Sequence, residues 1–195
     1  IAKGDMPPTV AIFINPGHKL KQGEEIENVK WKANNRSLEY DSLGDRYARF
    51  LIEEILPEAG RQWKLSDDPE LRAICGASSG GICSFTVAWE RPDQFRKVLS
   101  LIGSYTNLRG GHVYPEKVKM TAKKPLRIFF QDGRNDNRGV RRGGEYDPER
   151  DWFLQNTRLV ESLTEKDTSC FAGTPASKVT PLAFARTWPT VCSTK

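Results

Sequence analysis

Residues 72–85 read RAICGASSGGICSF: a short apolar run that breaks into two serines set among glycines. The run at 71–76, LRAICG, has the length and composition of a buried strand. The stretch at 82–90, ICSFTVAWE, continues apolar until Arg91 and Pro92 and suits a helix ended by proline. Between them Gly76-Ala77-Ser78-Ser79-Gly80 fits the pattern Gly-x-Ser-x-Gly. A chain that reverses so sharply puts its central serine in a strained backbone conformation, and small residues two positions to either side avoid clashes. That geometry lifts a hydroxyl above the sheet at the start of a helix. There the N–H of the next residue, Ser79, can receive a developing oxyanion. Ser78 is therefore the candidate nucleophile and Ser79 the candidate oxyanion donor. The bland alternative is a tight turn with serine at a capping position. The strand-turn-helix setting and the further glycine, Gly81, which suits close helix–strand packing, favour catalysis. A dinucleotide fingerprint or a phosphate loop would need different glycine spacing, or Gly-Lys-Ser/Thr, and neither is present.

Working outward, TVAIFI at 9–14 is β-branched and apolar and predicts a buried strand ended by Asn-Pro-Gly. A polar stretch follows to about residue 37. From about Asp41, residues Tyr47, Phe50, Leu51, Ile52 and Ile55 share one side of a helical wheel, so a helix is expected to stop near Pro57 or Gly60. KVLSLIG at 97–103 and PLRIFFQ at 125–131 are two more strand candidates. Asp147-Pro148 looks like a helix start, and Phe153, Leu159, Val160 and Leu163 share a face, so a helix is predicted over Pro148–Lys166. Strands alternating with helices imply a mostly parallel α/β sheet with helices on both faces. Residues 167–195 are rich in Thr, Ser, Ala and Pro without a period and read as an atypical tail, leaving 1–166 as the domain.

The bulk numbers agree with one globular domain. The chain has 195 residues, 37% hydrophobic and 28% charged, with no apolar run of membrane-spanning length. Its 30 basic and 25 acidic residues give a net charge of +5, but they interleave, as in ERPDQFRK at 90–97. No dense basic face is visible, which argues against a nucleic-acid partner. Four cysteines without a Cys-x-x-Cys pair, and only two histidines, argue against a zinc site.

The whole stretch RAICGASSGGICSFTVAWERPDQFRKVLS resembles the nucleophile region of the Putative esterase family, which includes enterochelin esterases and the esterase D group. RSLEYDSLGDRYARFLIEEILPE upstream, with IGSYTNLRGGHVYP and PLRIFFQDGRND downstream, resemble the same branch. The resemblance covers about residues 1–166. It implies an α/β-hydrolase fold and cleavage of small-molecule carboxylic esters by a Ser-acid-His triad, without metal or organic cofactor.

In that fold the acid follows the serine in a loop after a later strand, and the histidine follows the acid. RIFFQDGRNDNRG offers Asp132 and Asp136. The resemblance assigns the triad role to the second carboxylate, Asp136, leaving Asp132 as a turn residue before Gly133. Arg134, Arg138, Arg141 and Arg142 crowd the same loop; a solvated loop balanced by Glu145, Asp147 and Glu149 explains them better than an anion clamp. After Asp136 the sequence contains no histidine. His112 is the stand-in candidate for the base, although it precedes the acid, and His18 reads as a surface residue. The N-terminal IAKG resembles the tail of an earlier helix, which would place the second oxyanion loop before Ile1. The expectation is thus an α/β-hydrolase truncated at both ends, built around Ser78 and Asp136, with weak activity or none.

Overall fold

The computed structural model describes residues 7–18 and 35–173. Along the chain run α1 (Arg36–Tyr40), α2 (Arg46–Phe50) and, through a wider helical turn at Leu51–Ile55, α3 (Leu56–Gly60). Then come β1 (Ala73–Ala77), α4 (Ser79–Glu90), β2 (Lys97–Leu101), α5 (Tyr114–Met120) and β3 (Arg127–Gln131). A two-stranded hairpin of β4 (Arg138–Val140) and β5 (Tyr146–Asp151) leads into α6 (Trp152–Glu165) and β6 (Ser169–Gly173). The main sheet has the order β1-β2-β3-β6, and every pair in it is parallel. Each step crosses the sheet in the same direction, so right-handed connections put α4, α5 and α6 on one face. Burial follows that face: Val98, Ser100, Ile128 and Phe130 are buried. On the other face Cys75 is exposed and Leu99 is 37% exposed. The mostly parallel sheet matches the sequence reading; the expected helical cover is found on one face only among the described residues.

The core centres on Phe85 of α4. Its ring stacks with Trp89 and meets Tyr114 edge-on at 5.0 Å and Tyr105 at 5.7 Å. A buried tyrosine hydroxyl is costly unless hydrogen-bonded. Both are satisfied: Tyr114 pairs with the Thr86 hydroxyl at 2.7 Å, and Tyr105 with the Ser100 hydroxyl at 2.8 Å. These bonds join α4, α5, β2 and the loop after β2 into one packed unit beneath the carboxyl ends of the strands.

Four elements differ from the sequence reading. The run TVAIFI at 9–14 forms no strand. It lies exposed against Ile55, Ala59 and Trp63, with Phe13 95% exposed, and the Tyr40 hydroxyl donates to the Ile14 carbonyl at 3.0 Å. β-propensity cannot make a strand without a neighbour to pair with. Helix α5 follows directly on a single turn at Gly111–Val113 and is too short to show a hydrophobic period. Strand β6 extends the sheet into the segment that composition reads as tail; residues 174–195 lie outside the described residues.

The fourth difference is the start of α6. Asp147-Pro148 falls inside β5, and the cap is Asp151, whose carboxylate accepts the Leu154 N–H at 2.9 Å. Asp151 is fully buried and also bonds Arg138 and the Tyr146 hydroxyl, each at 3.0 Å. Two aspartates four residues apart compete for the cap, and the buried one takes it. Asp151→Ala should therefore lower unfolding free energy by about 2 kcal/mol. Asp147→Ala, in β5 and paired with Arg141 and Arg150 but capping no helix, should change it less. Urea denaturation of both variants checks this.

Candidate active site

The β1-to-α4 reversal lies where the sequence places it. Ser78 adopts φ 55°, ψ −119°, one of three non-glycine residues with positive φ among the described residues. Such a conformation costs about 1–3 kcal/mol and persists only when neighbours hold it. Here the Ser78 N–H donates to the Leu101 carbonyl at 2.9 Å, carrying the β1–β2 ladder one residue further. Its carbonyl accepts from the N–H groups of Gly81 at 2.9 Å and Ser104 at 3.2 Å. The turn is so tight that a Cβ at position 76 would sit 2.3 Å from the Gly80 carbonyl oxygen. Gly81 lets α4 close on the sheet: a Cβ there would lie 2.9 Å from Gly103 Cα. A Cβ on Gly80 would meet nothing within 4 Å.

The Ser78 side chain is half-buried, and its Oγ lies 3.3 Å from Ser104 Oγ. Ser104 is a neighbour the sequence did not single out; only its position just past the end of β2 could have suggested it. Ser79, buried at the first position of α4, turns its hydroxyl away from Ser78 to donate to Asp41 Oδ2 at 3.1 Å. Its backbone N–H is one of the orphan donors of the first helical turn.

The two candidate acids sit just past β3, two strand spacings, about 10 Å, across from β1. Asp132 is buried: its Oδ1 accepts the Gly133 N–H at 2.7 Å, while Oδ2 has no partner among the described residues. The turn-residue reading covers that first bond but not the burial of the side chain. Burial, with Asp136 close by and only the Gly133 N–H opposing, pushes the Asp132 carboxyl up to about 7. Asp136 is half-buried and accepts the Asn137 N–H at 2.6 Å.

Among the described residues no hydrogen bond joins His112 to Ser78, Asp132 or Asp136. His112 lines a groove of about 460 Å³ between α5 and α6, with Pro115, Lys119, Gln155 and Arg158, and none of Ser78, Asp132 or Asp136 lines it. Its Nε2 stands 3.9 Å from Glu149 Oε2, and its Nδ1 is buried without a partner among the described residues. His18 is half-buried at the end of the first described segment. The arginines of the hairpin are largely paired at the surface: Arg138 with Asp151, and Arg141 and Arg150 with Asp147.

The family model described as Putative esterase matches residues 1–192. The chain is 26% identical over 167 residues to the uncharacterized protein YbbA of Bacillus subtilis (strain 168), covering 83% of this chain and 61% of that one. It is 28% identical over 104 residues to the iron(III) enterobactin esterase of Dickeya dadantii (strain 3937), covering 53% of this chain and 20% of that one. Among solved structures, the enterobactin esterase FES of Shigella flexneri superposes with TM-score 0.56 at 24% identity, over 71% of this chain and 35% of that one. The likeness to that structure speaks to the fold. In each case the chain spans less than two thirds of the relative's length. The chain belongs to the Putative esterase family.

Two outcomes follow from the geometry. Gly76→Ala should abolish the native turn or strongly lower the melting temperature, because its Cβ meets backbone. Gly80→Ala should leave the melting temperature equal or raise it, because alanine gains up to about 1 kcal/mol of helix propensity over glycine. For Asp132, the folded carboxyl holds its proton more tightly than the unfolded one. Stability should therefore fall as pH rises from the ordinary carboxylate range through about 7. Asp132→Asn should flatten that fall, read from urea midpoints at acid and alkaline pH.

Proposed function

We propose that this member of the esterase family cleaves carboxylic esters of small molecules with Ser78 as nucleophile. The observation that carries the proposal is the strained Ser78 backbone at a strand-to-helix reversal, which glycine at position 76 makes room for. In this reading Ser78 Oγ attacks the ester carbonyl carbon and its proton passes to a base. The carbonyl oxygen becomes an oxyanion facing the Ser79 N–H, and the alcohol leaves with the proton. Water then repeats the sequence on the acyl-serine and releases the acid. Asp136 is the acid that would orient the base, and Asp132 is its buried neighbour.

In the sequence given no histidine follows Asp136, and His112 lines another groove. Turnover by these residues alone is accordingly proposed to be weak. A site that lacks one triad member retains roughly 10³–10⁴-fold acceleration over water where the rest survives. A second reading, an esterase fold kept for binding without chemistry, draws support from one contact: the partner of Ser78 Oγ is another hydroxyl, that of Ser104.

The pairing of the hairpin arginines with aspartates supports a small-molecule substrate rather than a nucleic acid. Among the described residues no helix is long and apolar enough to cross a membrane.

A fluorophosphonate probe separates the two functional readings. The catalytic reading expects slow labelling at Ser78, faster labelling when free imidazole is added to supply the absent base, and none in Ser78→Ala. Folded protein that takes up no label even with imidazole would establish the binding reading instead.

A further inference from the structure

Ser79 has two polar groups to place: a hydroxyl and the N–H proposed to meet the oxyanion. A serine in the first turn of a helix tends to fold its hydroxyl back onto neighbouring backbone groups. Here the hydroxyl is drawn off instead, to a carboxyl from 38 residues upstream. Asp41 caps the end of α1, is 3% exposed, and has one oxygen, Oδ1, without a partner among the described residues. A carboxyl so buried costs free energy unless it is well partnered, and a small apolar residue would fill the place at lower cost. The surroundings say what it is for. Asp41 stands at the N-terminal turn of the 12-residue α4, where the helix dipole favours negative charge. Its own N–H donates to the Ser37 carbonyl at 3.2 Å, and Ser37 Oγ accepts from Arg109 Nε at 3.1 Å. Arg109 belongs to the loop that carries Ser104. Helix α1 thus ties together the reversal at Ser78 and the loop beside it.

We propose that Asp41 is a positioning residue for the oxyanion side of the site: by taking the Ser79 hydroxyl it keeps the Ser79 N–H free and aimed at the reacting carbonyl. The inference rests on the reading of Ser78 and Ser79 given above. The charged and titratable groups that face Asp41 are Arg36 on α1, Arg109 on the loop after β2 and Cys83 on α4. Burial pushes the Asp41 carboxyl above its ordinary value, against the Ser79 and Ser37 hydroxyls and the two arginines.

The test follows the Ser79 amide by NMR in the full ¹⁵N-labelled chain, alongside fluorophosphonate labelling with imidazole. The Ser79 amide signal should titrate with a midpoint above the usual carboxylate range, and Asp41→Asn should abolish that titration. Asp41→Ala should shift the Ser79 amide and slow labelling about 10- to 100-fold, whereas Asp41→Asn, which still offers an acceptor, should restore the rate. If Asp41→Ala does not fold, Ser79→Ala cuts the same bond and should slow labelling alike. A Ser79 amide that neither titrates nor responds to a folded Asp41→Ala overturns the proposal. An unlabelled wild-type chain would sink the functional reading instead, and the amide titration would still decide whether Asp41 governs Ser79.

Discussion

The contact between Gly76 and the backbone of Gly80 is the constraint on which the rest of the site depends. It exists because the chain leaves a strand and enters a helix with one residue between them. That residue, Ser78, has its backbone fixed by hydrogen bonds to Leu101, Gly81 and Ser104. Every other candidate group is placed relative to this corner. Ser79 inherits the free N–H of a helix start, Asp41 takes its hydroxyl, and Ser104 meets the Ser78 hydroxyl while its own N–H is tied to the Ser78 carbonyl. The strain at Ser78 is thus borne by β2 and its following loop together with the first turn of α4.

Local sterics made this corner legible in the sequence. Gly-x-Ser-x-Gly between an apolar run and a proline-ended helix is a constraint on five adjacent residues, and no distant contact alters it. The short strands β1, β2 and β3 were legible for the same reason. What failed depended on partners elsewhere. TVAIFI has the composition of a strand but no neighbouring strand among the described residues, so it lies along a helix with Phe13 in solvent. The start of α6 turned on which of Asp147 and Asp151 is buried, and Asp151 is the one bonded by Arg138 across the hairpin and by Tyr146 on its own strand. Strand β6 is held by its register with β3 despite a sequence that reads as tail. Asp41 lies in a stretch whose likeness to the esterase family could be seen, yet its contact spans 38 residues and left no local signal.

The two sides of the site differ in their electrostatics. On the Ser79 side a buried carboxyl sits against a helix start, where the dipole offsets part of its desolvation. On the Asp132 side two carboxyls share a loop, and the buried one holds its proton up to about 7, chiefly because it is desolvated and further because Asp136 lies close by. A cationic imidazolium between Ser78 and that loop would relieve this repulsion.

Strand β1 occupies the end of the sheet order among the described residues, so a neighbouring strand ladders it on one side only. In a parallel sheet successive residues aim their backbone groups alternately left and right, so about half of those in β1 face no other strand there. Among the described residues, peeling the strand that delivers Ser78 away from the sheet means breaking a single row of strand-to-strand bonds, all of them to β2. The steadiness of the Ser78 hydroxyl is in this sense partly borrowed from the grip of Lys97–Leu101 on the strand beside it.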